Sequence, residues 1–232
     1  MLILIALLFG EAIPPLQDFV IGAGAGLAGV IGLIALYKGL ASGRAGIVAP
    51  VSGVVAAMIP IPVAILLGGL PSWLKLAGFT LALISVWFVS QGEHGRITRG
   101  DLVLPLIAGV GFGIFFILIH KASAVSIMWP LVGARGASVI VITLFAMVNR
   151  YPYLPGVRSL PLIMLCGILD VSGNAFYAAA SHLGRVDTAV VLAALYPAAT
   201  IIWAWLLLKE SIGRAQLFGI VLAIVAIAMI SA

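Results

Sequence analysis

Four polar side chains follow one another at helical spacing in an otherwise apolar stretch of the chain. Asp170, Asn174, Tyr177 and Ser181 stand at positions i, i+4, i+7 and i+11, so a helix would place all four on one face. Asp170 offers a carboxylate that could bind an amine or carry a proton, while Asn174 and Tyr177 offer neutral hydrogen bonds. The stripe predicts either the lining of a polar cavity or a polar seam between helices.

A second charge lies equally deep in the preceding apolar stretch. Arg135 is ten residues into the run 125–148, and Asp170 is ten residues into the run 160–182. A charge near the middle of a bilayer costs about 2.5–3.5 kcal/mol on insertion scales, so it usually faces the interior of a helix bundle. Because the two runs are sequential and antiparallel, an ion pair is feasible. It would be either a structural tie or part of a site where Arg135 neutralises Asp170 or holds a substrate carboxylate.

The sequence carries no motif for catalysis or metal binding. No pair of His, Cys or carboxylate residues has metal-ligand spacing, and no nucleophile motif or phosphate-binding glycine loop occurs, so we expect no enzyme, no metal and no cofactor. His120, His182 and Glu210 stand at the ends of apolar runs, where solvated loop chemistry accounts for them. Trp203 and Trp205 are interpreted as packing residues.

The composition indicates a protein of the lipid bilayer. Of the 232 residues, 64% are hydrophobic and only 8% are charged, whereas about 25% are charged in an average soluble domain. Too little polar surface is available to cover a globule in water, so the bilayer is the expected solvent. The net charge of +5 is scattered between apolar runs and forms no basic patch, so nucleic acid is not an expected partner.

Eight apolar runs are long enough to cross a membrane, since a helical span takes about 20 residues. The runs are 19–41, 46–68, 74–91, 102–120, 125–148, 160–182, 188–208 and 215–232. Residues 1–9 form a shorter run without the basic leader or cleavage site of a signal peptide. The runs are continuous rather than alternating, which excludes sheet. We therefore predict an all-α fold, a polytopic membrane helical bundle with eight full spans and a partial one.

Glycines recur at helical spacing within two of these runs. Gly22, Gly26 and Gly29 share one face of the run 19–41, and Gly109 and Gly113 pair on the run 102–120. Such positions let helix backbones approach closely in lipid. We interpret both sets as packing surfaces.

The two ends of the chain repeat each other. Residues 1–91 match residues 142–232 without a gap at a constant offset of 141, with 15 identities that include Gly43-Arg44 against Gly184-Arg185. We divide the chain into an incomplete first repeat at 1–91, a loop at 92–101 and a complete five-helix repeat at 102–232. An odd helix number makes the second copy enter from the opposite membrane side, as in inverted-repeat transporters. Residues 102–141 lack counterparts, so we expect one helix and part of another ahead of Met1.

The segment 184–227, GRVDTAVVLAALYPAATIIWAWLLLKESIGRAQLFGIVLAIVAI, combines a polar turn, a helix with central Pro197, a Leu-rich end closing on Glu210, and a last helix bearing Gly219. In this pattern the chain resembles the EamA-type branch of the drug/metabolite transporter superfamily. The first repeat departs from the pattern, with Ala56 in the place of Pro197 and Gly69 in the place of Glu210. The resemblance implies ten helices in two five-helix repeats.

The resemblance also implies a secondary transporter of the plasma or inner cell membrane that works by alternating access. Its partners would be the lipid bilayer and a small amino acid-like or drug-like solute, and a homo-oligomer is left open. Asp170, Asn174, Tyr177 and Arg135 form the candidate substrate site. No ATP-binding motif occurs, so an ion gradient or the solute's own gradient would drive flux. The alternatives are a non-transporting scaffold or gene remnant and a membrane-embedded lipid-handling enzyme.

Two arguments about orientation disagree. One predicted side of the membrane carries Lys38, Arg44, Arg96, Arg99, Arg150, Arg158, Lys209 and Arg214, and the other carries Lys75, Lys121 and Arg185. Eight cations against three place the C-terminus outside by the positive-inside rule, whereas the resemblance implies a cytoplasmic C-terminus. We follow the resemblance, because residues expected ahead of Met1 could carry the deciding charges.

This orientation predicts the behaviour of a reporter fused after Ala232. A reporter that folds only in the cytoplasm should be active there, and one that needs the outer side should be silent. The opposite result would show that the cation count decides the topology.

Overall fold

The computed structural model describes residues 2–42, 45–89, 99–150, 156–203, 206 and 213–231. Within these residues every regular element is helical and no strand occurs, which confirms the all-α class. A 3-10 turn at Val157–Ser159 precedes the eighth helix. The α-helices are α1 Leu2–Leu8, α2 Leu16–Ala41, α3 Ala45–Met58, α4 Pro60–Gly68, α5 Trp73–Val89, α6 Arg99–Ala122, α7 Met128–Val148, α8 Leu160–Leu183, α9 Val186–Ala193, α10 Tyr196–Trp203 and α11 Arg214–Ser231.

Five helical stretches of the described chain are long and apolar enough to cross a membrane. They are Leu16–Ala41, Val48–Leu66, Leu102–Ala122, Met128–Val148 and Val157–Leu183. Trp73–Phe88 and Arg214–Ile230 are shorter apolar helices that match two further predicted runs. The remaining run, 188–208, corresponds to α9 and α10 and extends beyond the described residues. The polytopic membrane class is confirmed, and the count of eight spans stays a prediction.

Prolines divide two of the predicted runs into shorter helices. Proline has no backbone N–H, so the carbonyl four residues before it loses its helical partner. Helix α3 ends at Met58, four residues before Pro62, and α9 ends at Ala193, four residues before Pro197. The runs 46–68 and 188–208 are therefore each interrupted rather than continuous.

The chain forms two compact units. Unit 1 comprises Met1–Val30 with Phe115–Leu183, and unit 2 comprises Ile31–Ile114 with Gly184–Ala232. In unit 1, α2 lies with its glycine face against the backbone of α7. A Cβ atom added at Gly22 would stand 2.5 Å from the Pro130 carbonyl oxygen, and one at Gly26 would collide with the Ala134 carbonyl. These glycines therefore act in packing, as predicted.

A carboxylate fixes the start of α7 in unit 1. The Oε2 atom of Glu11 accepts hydrogen bonds from the Ser126 hydroxyl at 2.6 Å and from the Met128 backbone N–H at 2.8 Å. The first N–H groups of a helix have no partner within the helix, and a negative charge there also complements the helix dipole. Glu11 thus caps α7 from the connection between α1 and α2.

Unit 2 is built around an antiparallel pair of helices. Near the start of α5, Gly78 faces Met229 and Ile230 at the end of α11. Near the end of α5, Phe88 packs edge-on against Phe218 at the start of α11, with ring centroids 4.9 Å apart. Helix α5 therefore runs opposite to α11, and buried apolar residues of both helices and of α9 form one core cluster.

Glycines also bring helices together elsewhere in unit 2. A Cβ atom at Gly109 of α6 would stand 2.5 Å from Val55 Cβ, and one at Gly113 would stand 2.7 Å from Ile59 Cβ. Both glycines were expected to pack, and both face α3 or the residue that follows it. Helix α6 can therefore approach this segment closely only because these two positions carry no side chain.

Helix starts in the described chain follow the offset found in the sequence. Helix α3 begins at Ala45 and α9 at Val186, a difference of 141 (186 − 45). Helix α5 begins at Trp73 and α11 at Arg214, again a difference of 141 (214 − 73). These two pairs of helix starts agree with the offset of the predicted repeat, and the division into two repeats stays a prediction.

Replacing Gly26 by Ala should destabilise the protein, whereas the same change at Gly24 should not. The methyl group at 26 would overlap the Ala134 carbonyl, while at 24 the nearest atom is a Leu118 methyl at 3.8 Å. Overpacking of this kind costs about 1–3 kcal/mol. Unfolding in micelles would measure the difference, and equal stabilities of the two variants would contradict the close α2–α7 contact.

Candidate functional site

The two charges predicted to lie at membrane depth meet directly in unit 1. The Nη2 atom of Arg135 in α7 lies 2.5 Å from Oδ2 of Asp170 in α8. The side chain of Arg135 is 27% exposed and that of Asp170 is 48% exposed. The sequence analysis found an ion pair feasible, and the structure contains a direct one. Because both groups remain partly exposed, another molecule could reach the pair.

Asn174 supports the carboxylate from the next turn of α8. Its Nδ2 atom donates to the backbone carbonyl of Asp170 at 2.9 Å and lies 3.4 Å from Asp170 Oδ1. The second contact is at the long end of the range for a hydrogen bond, so it adds little strength. The Asn174 amide therefore sits beside the ion pair and leaves most of the Asp170 carboxylate to Arg135.

Tyr177 lies two turns beyond Asp170 and faces α6. Its hydroxyl donates to the Phe116 carbonyl at 3.1 Å, and its ring contacts that of Phe116 with centroids 4.5 Å apart. Ser181, one turn further, is buried and donates to the Ala178 carbonyl at 2.8 Å. This half of the polar stripe is a seam between helices α6 and α8.

The predicted site residues thus divide into two groups. Arg135, Asp170 and Asn174 form one contact between α7 and α8. Tyr177 shares their helix face, yet its hydroxyl is committed to the α6 backbone. The polar seam describes the Ser181 end, which is buried, while the Asp170 end is partly exposed and a cavity there stays a prediction. Glu210 and Trp205 lie outside the described residues.

A charge cluster in unit 2 was not predicted from the sequence. Arg185 donates from Nε and Nη2 to the carboxylate of Asp187, at 2.8–3.2 Å, and from Nη1 and Nη2 to the carbonyls of Gly68 and Gly69, at 3.1 and 2.7 Å. The hydrogen bond that Arg185 donates to Asp187 raises the pKa of Arg185 above its usual value. We call these residues the Arg185 clamp; it joins the end of α4 to the start of α9.

The Arg185 clamp satisfies helix ends as well as charges. Asp187 is fully buried, and its Oδ1 atom accepts the Thr188 N–H at 2.8 Å in the first turn of α9. The guanidinium meets carbonyls at the end of α4, where a positive charge complements the helix dipole. The only sequence signal was an acid two residues after Gly184-Arg185, at the beginning of an apolar run.

A second polar contact in unit 2 also has no signal in the sequence. The Tyr196 hydroxyl donates to the Ala49 carbonyl at 2.7 Å and lies 2.7 Å from the hydroxyl of fully buried Ser52. The contact joins α10 to the middle of α3. Nothing in the spacing of Ser52 and Tyr196 predicts this, since 144 residues separate them.

The architecture and its polar contacts define a class of protein before any comparison is made. Apolar helices long enough to span a bilayer, joined by glycine contacts and internally satisfied polar groups, make a polytopic helical membrane protein. The EamA-like transporter family matches residues 98–232, more than half of the chain. The chain belongs to that family and is a membrane transporter of the drug/metabolite superfamily. No curated protein matches it.

Replacing Asp187 by Asn should weaken unit 2 through the Arg185 clamp. The neutral amide no longer balances the guanidinium, and a hydrogen bond to a charged group contributes about 1.5–3 kcal/mol. We expect a loss of this order in unfolding free energy in micelles. Arg158→Gln removes an exposed cation from the 3-10 turn and serves as the control. An Asp187→Asn protein as stable as that control would contradict a stabilising clamp.

Proposed function

We propose that this chain is a secondary transporter that moves a small amino acid-like or drug-like solute by alternating access between two inverted repeats. Its place is the plasma or inner membrane of the cell. The proposal assigns the chain no enzymatic step and no cofactor. The proposed solute-binding site consists of Arg135 and Asp170, with Asn174 beside them and Tyr177 further along the same helix face.

The antiparallel packing of α5 and α11 is the observation that carries the inverted arrangement. Suppose a two-fold operation exchanges residue i with residue i+141. The contact of Gly78 with Met229 would then map onto a contact of Phe88 (229 − 141) with Gly219 (78 + 141). Phe88 in fact packs on Phe218, the residue next to Gly219. Contacts within unit 2 thus agree with two repeats related by an axis in the membrane plane.

Inverted repeats support alternating access for a physical reason. Two similar halves can rock against each other about a site near the bilayer midplane, so each half in turn closes one side. A proline break ends α3 at Met58 and another ends α9 at Ala193, so the matching helix is interrupted in each predicted repeat, although not at the same repeat position. Interrupted helices of this kind line cavities in transporters, which further supports the proposal.

The chemistry of the pair favours a solute that carries both charges. In the resting pair, Arg135 and Asp170 neutralise each other at low cost in lipid. A zwitterion could replace both partners, since its amine would meet Asp170 and its carboxylate would meet the planar fork of Arg135. Such an exchange keeps every charge paired throughout. An amine alone would leave Arg135 unpaired, so a proton or another cation would have to leave the site as the amine enters it.

Replacing Asp170 by Asn should abolish flux or reduce it at least about tenfold, because a charge-assisted hydrogen bond is lost. Proteoliposomes would be screened with labelled zwitterionic amino acids and organic amines. Asp18→Asn, a neutralised acid in the first turn of α2, is the matched control. Normal transport by Asp170→Asn would remove Asp170 from the mechanism.

A double variant separates a solute site from a structural tie. If the pair only holds α7 to α8, Asp170→Asn should destabilise the protein and Arg135→Gln in the same chain should restore stability and flux together. If the pair meets the solute, the double variant should regain stability and remain inactive. Absence of flux in the unaltered protein across the whole screen would favour the non-transporting scaffold.

A further inference from the structure

Two histidines at the ends of α6 and α8 stack on each other in unit 1. The rings of His120 and His182 have centroids 4.6 Å apart and an interplanar angle of 22°. The Nε2 atom of His182 lies 3.0 Å from the His120 carbonyl oxygen, and Nδ1 of His120 lies 3.0 Å from the Ser181 hydroxyl. The contact therefore ties the two helix ends through ring stacking and two hydrogen bonds.

The hydrogen bonds assign the proton on each neutral ring. A carbonyl can only accept, so Nε2 of His182 carries a hydrogen. The Ser181 hydroxyl already gives its one hydrogen to the Ala178 carbonyl, so it accepts from His120 and Nδ1 of His120 carries a hydrogen. Within the described residues, one nitrogen of each ring accepts no hydrogen bond; these are Nε2 of His120 and Nδ1 of His182. Both can take up a proton without breaking either bond.

We propose that the stacked His120–His182 pair is a proton-binding site that takes one proton readily and resists a second, so that the two rings titrate as a coupled pair. One imidazolium over a neutral ring is favoured by cation–π attraction. Two imidazolium rings at this separation repel each other. Histidine is the side chain whose charge ordinarily changes between pH 5 and 8, which suits it to this role.

One ionisable residue lies nearest the pair on α6, one on α8 and one at the start of α7. On α6 the adjacent ionisable residue is Lys121, and on α8 it is Tyr177, whose hydroxyl is committed to the Phe116 carbonyl. Glu11 lies at the α7 start, where Ser126 and Met128 occupy its carboxylate. Ser123, one turn beyond His120, has a buried hydroxyl without a partner in the described chain.

The pair gives the proposed transporter a proton-binding place separate from the Asp170 site. Its second protonation would set two like charges against each other where the end of α6 meets the end of α8, the helix that carries Asp170. This consequence for transport rests on the proposed function. Proton binding itself does not, so it is tested without any solute.

The test is a histidine titration followed by NMR on protein labelled with 15N-histidine in micelles. All samples carry His94→Gln, so that only His120 and His182 report. Two equal independent sites would separate by about 0.6 pH unit from statistics alone, and interaction widens this separation. We expect the second proton to bind at least about tenfold more weakly than statistics predict. In His182→Gln or His120→Gln protein, the remaining ring should titrate in a single step.

Each outcome decides the proposal. Curves for His120 and His182 that superimpose on those of the single variants would overturn it, because the rings would then not interact. If a variant fails to fold, the separation of the two steps in the unaltered pair still decides. The stability of the protein that keeps both His120 and His182 should also fall at acidic pH, because the unfolded chain binds the second proton more tightly than the folded chain does. His182→Gln should remove that fall, and flux against pH then tests the link to transport separately.

Discussion

Within the hydrocarbon core a polar group can be satisfied only by the protein itself, and the packing of this chain depends on that constraint. The single hydroxyl hydrogen of Ser138 in α7 is shared between the Ala134 carbonyl of its own helix and the Gly26 carbonyl of α2. Tyr177 of α8 donates to a carbonyl of α6 in the same way. Side chains that bond a neighbouring backbone hold helices together where the hydrophobic effect offers little between them.

Such bonds require helices that approach closely, and glycine makes this approach sterically allowed. At Gly26 the backbones of α2 and α7 lie so near that any side chain would collide with the Ala134 carbonyl. The same proximity brings the Gly26 carbonyl within 3.1 Å of the Ser138 hydroxyl. Small residues and polar contacts are therefore one device, since the first sets the distance at which the second can form.

The sequence predicts what depends on neighbouring residues and misses what depends on loops that meet in space. Hydropathy located the spans because each is a local apolar run. Arg135 and Asp170 were expected to meet because each is ten residues into its run and the two runs are antiparallel. The Arg185 clamp was missed, since it needs the Gly68 and Gly69 carbonyls more than a hundred residues away. The histidines were assigned to solvated loops for the same reason, because nothing local indicates that two run ends will stack.

The two predicted repeats differ at the position where one has Gly29 and the other has Asp170. Offset 141 pairs Gly26 with Gly167 and Gly29 with Asp170. In α2, a Cβ atom at Gly26 would meet the backbone of α7, and one at Gly29 would lie 3.1 Å from a ring of α6. In α8, no described atom lies within 4 Å of a Cβ built at Gly167. A side chain at position 29 would press against the Phe115 ring, whereas Asp170 has Arg135 as a partner and is partly exposed. The half with the open glycine face is therefore the one that can carry the charge.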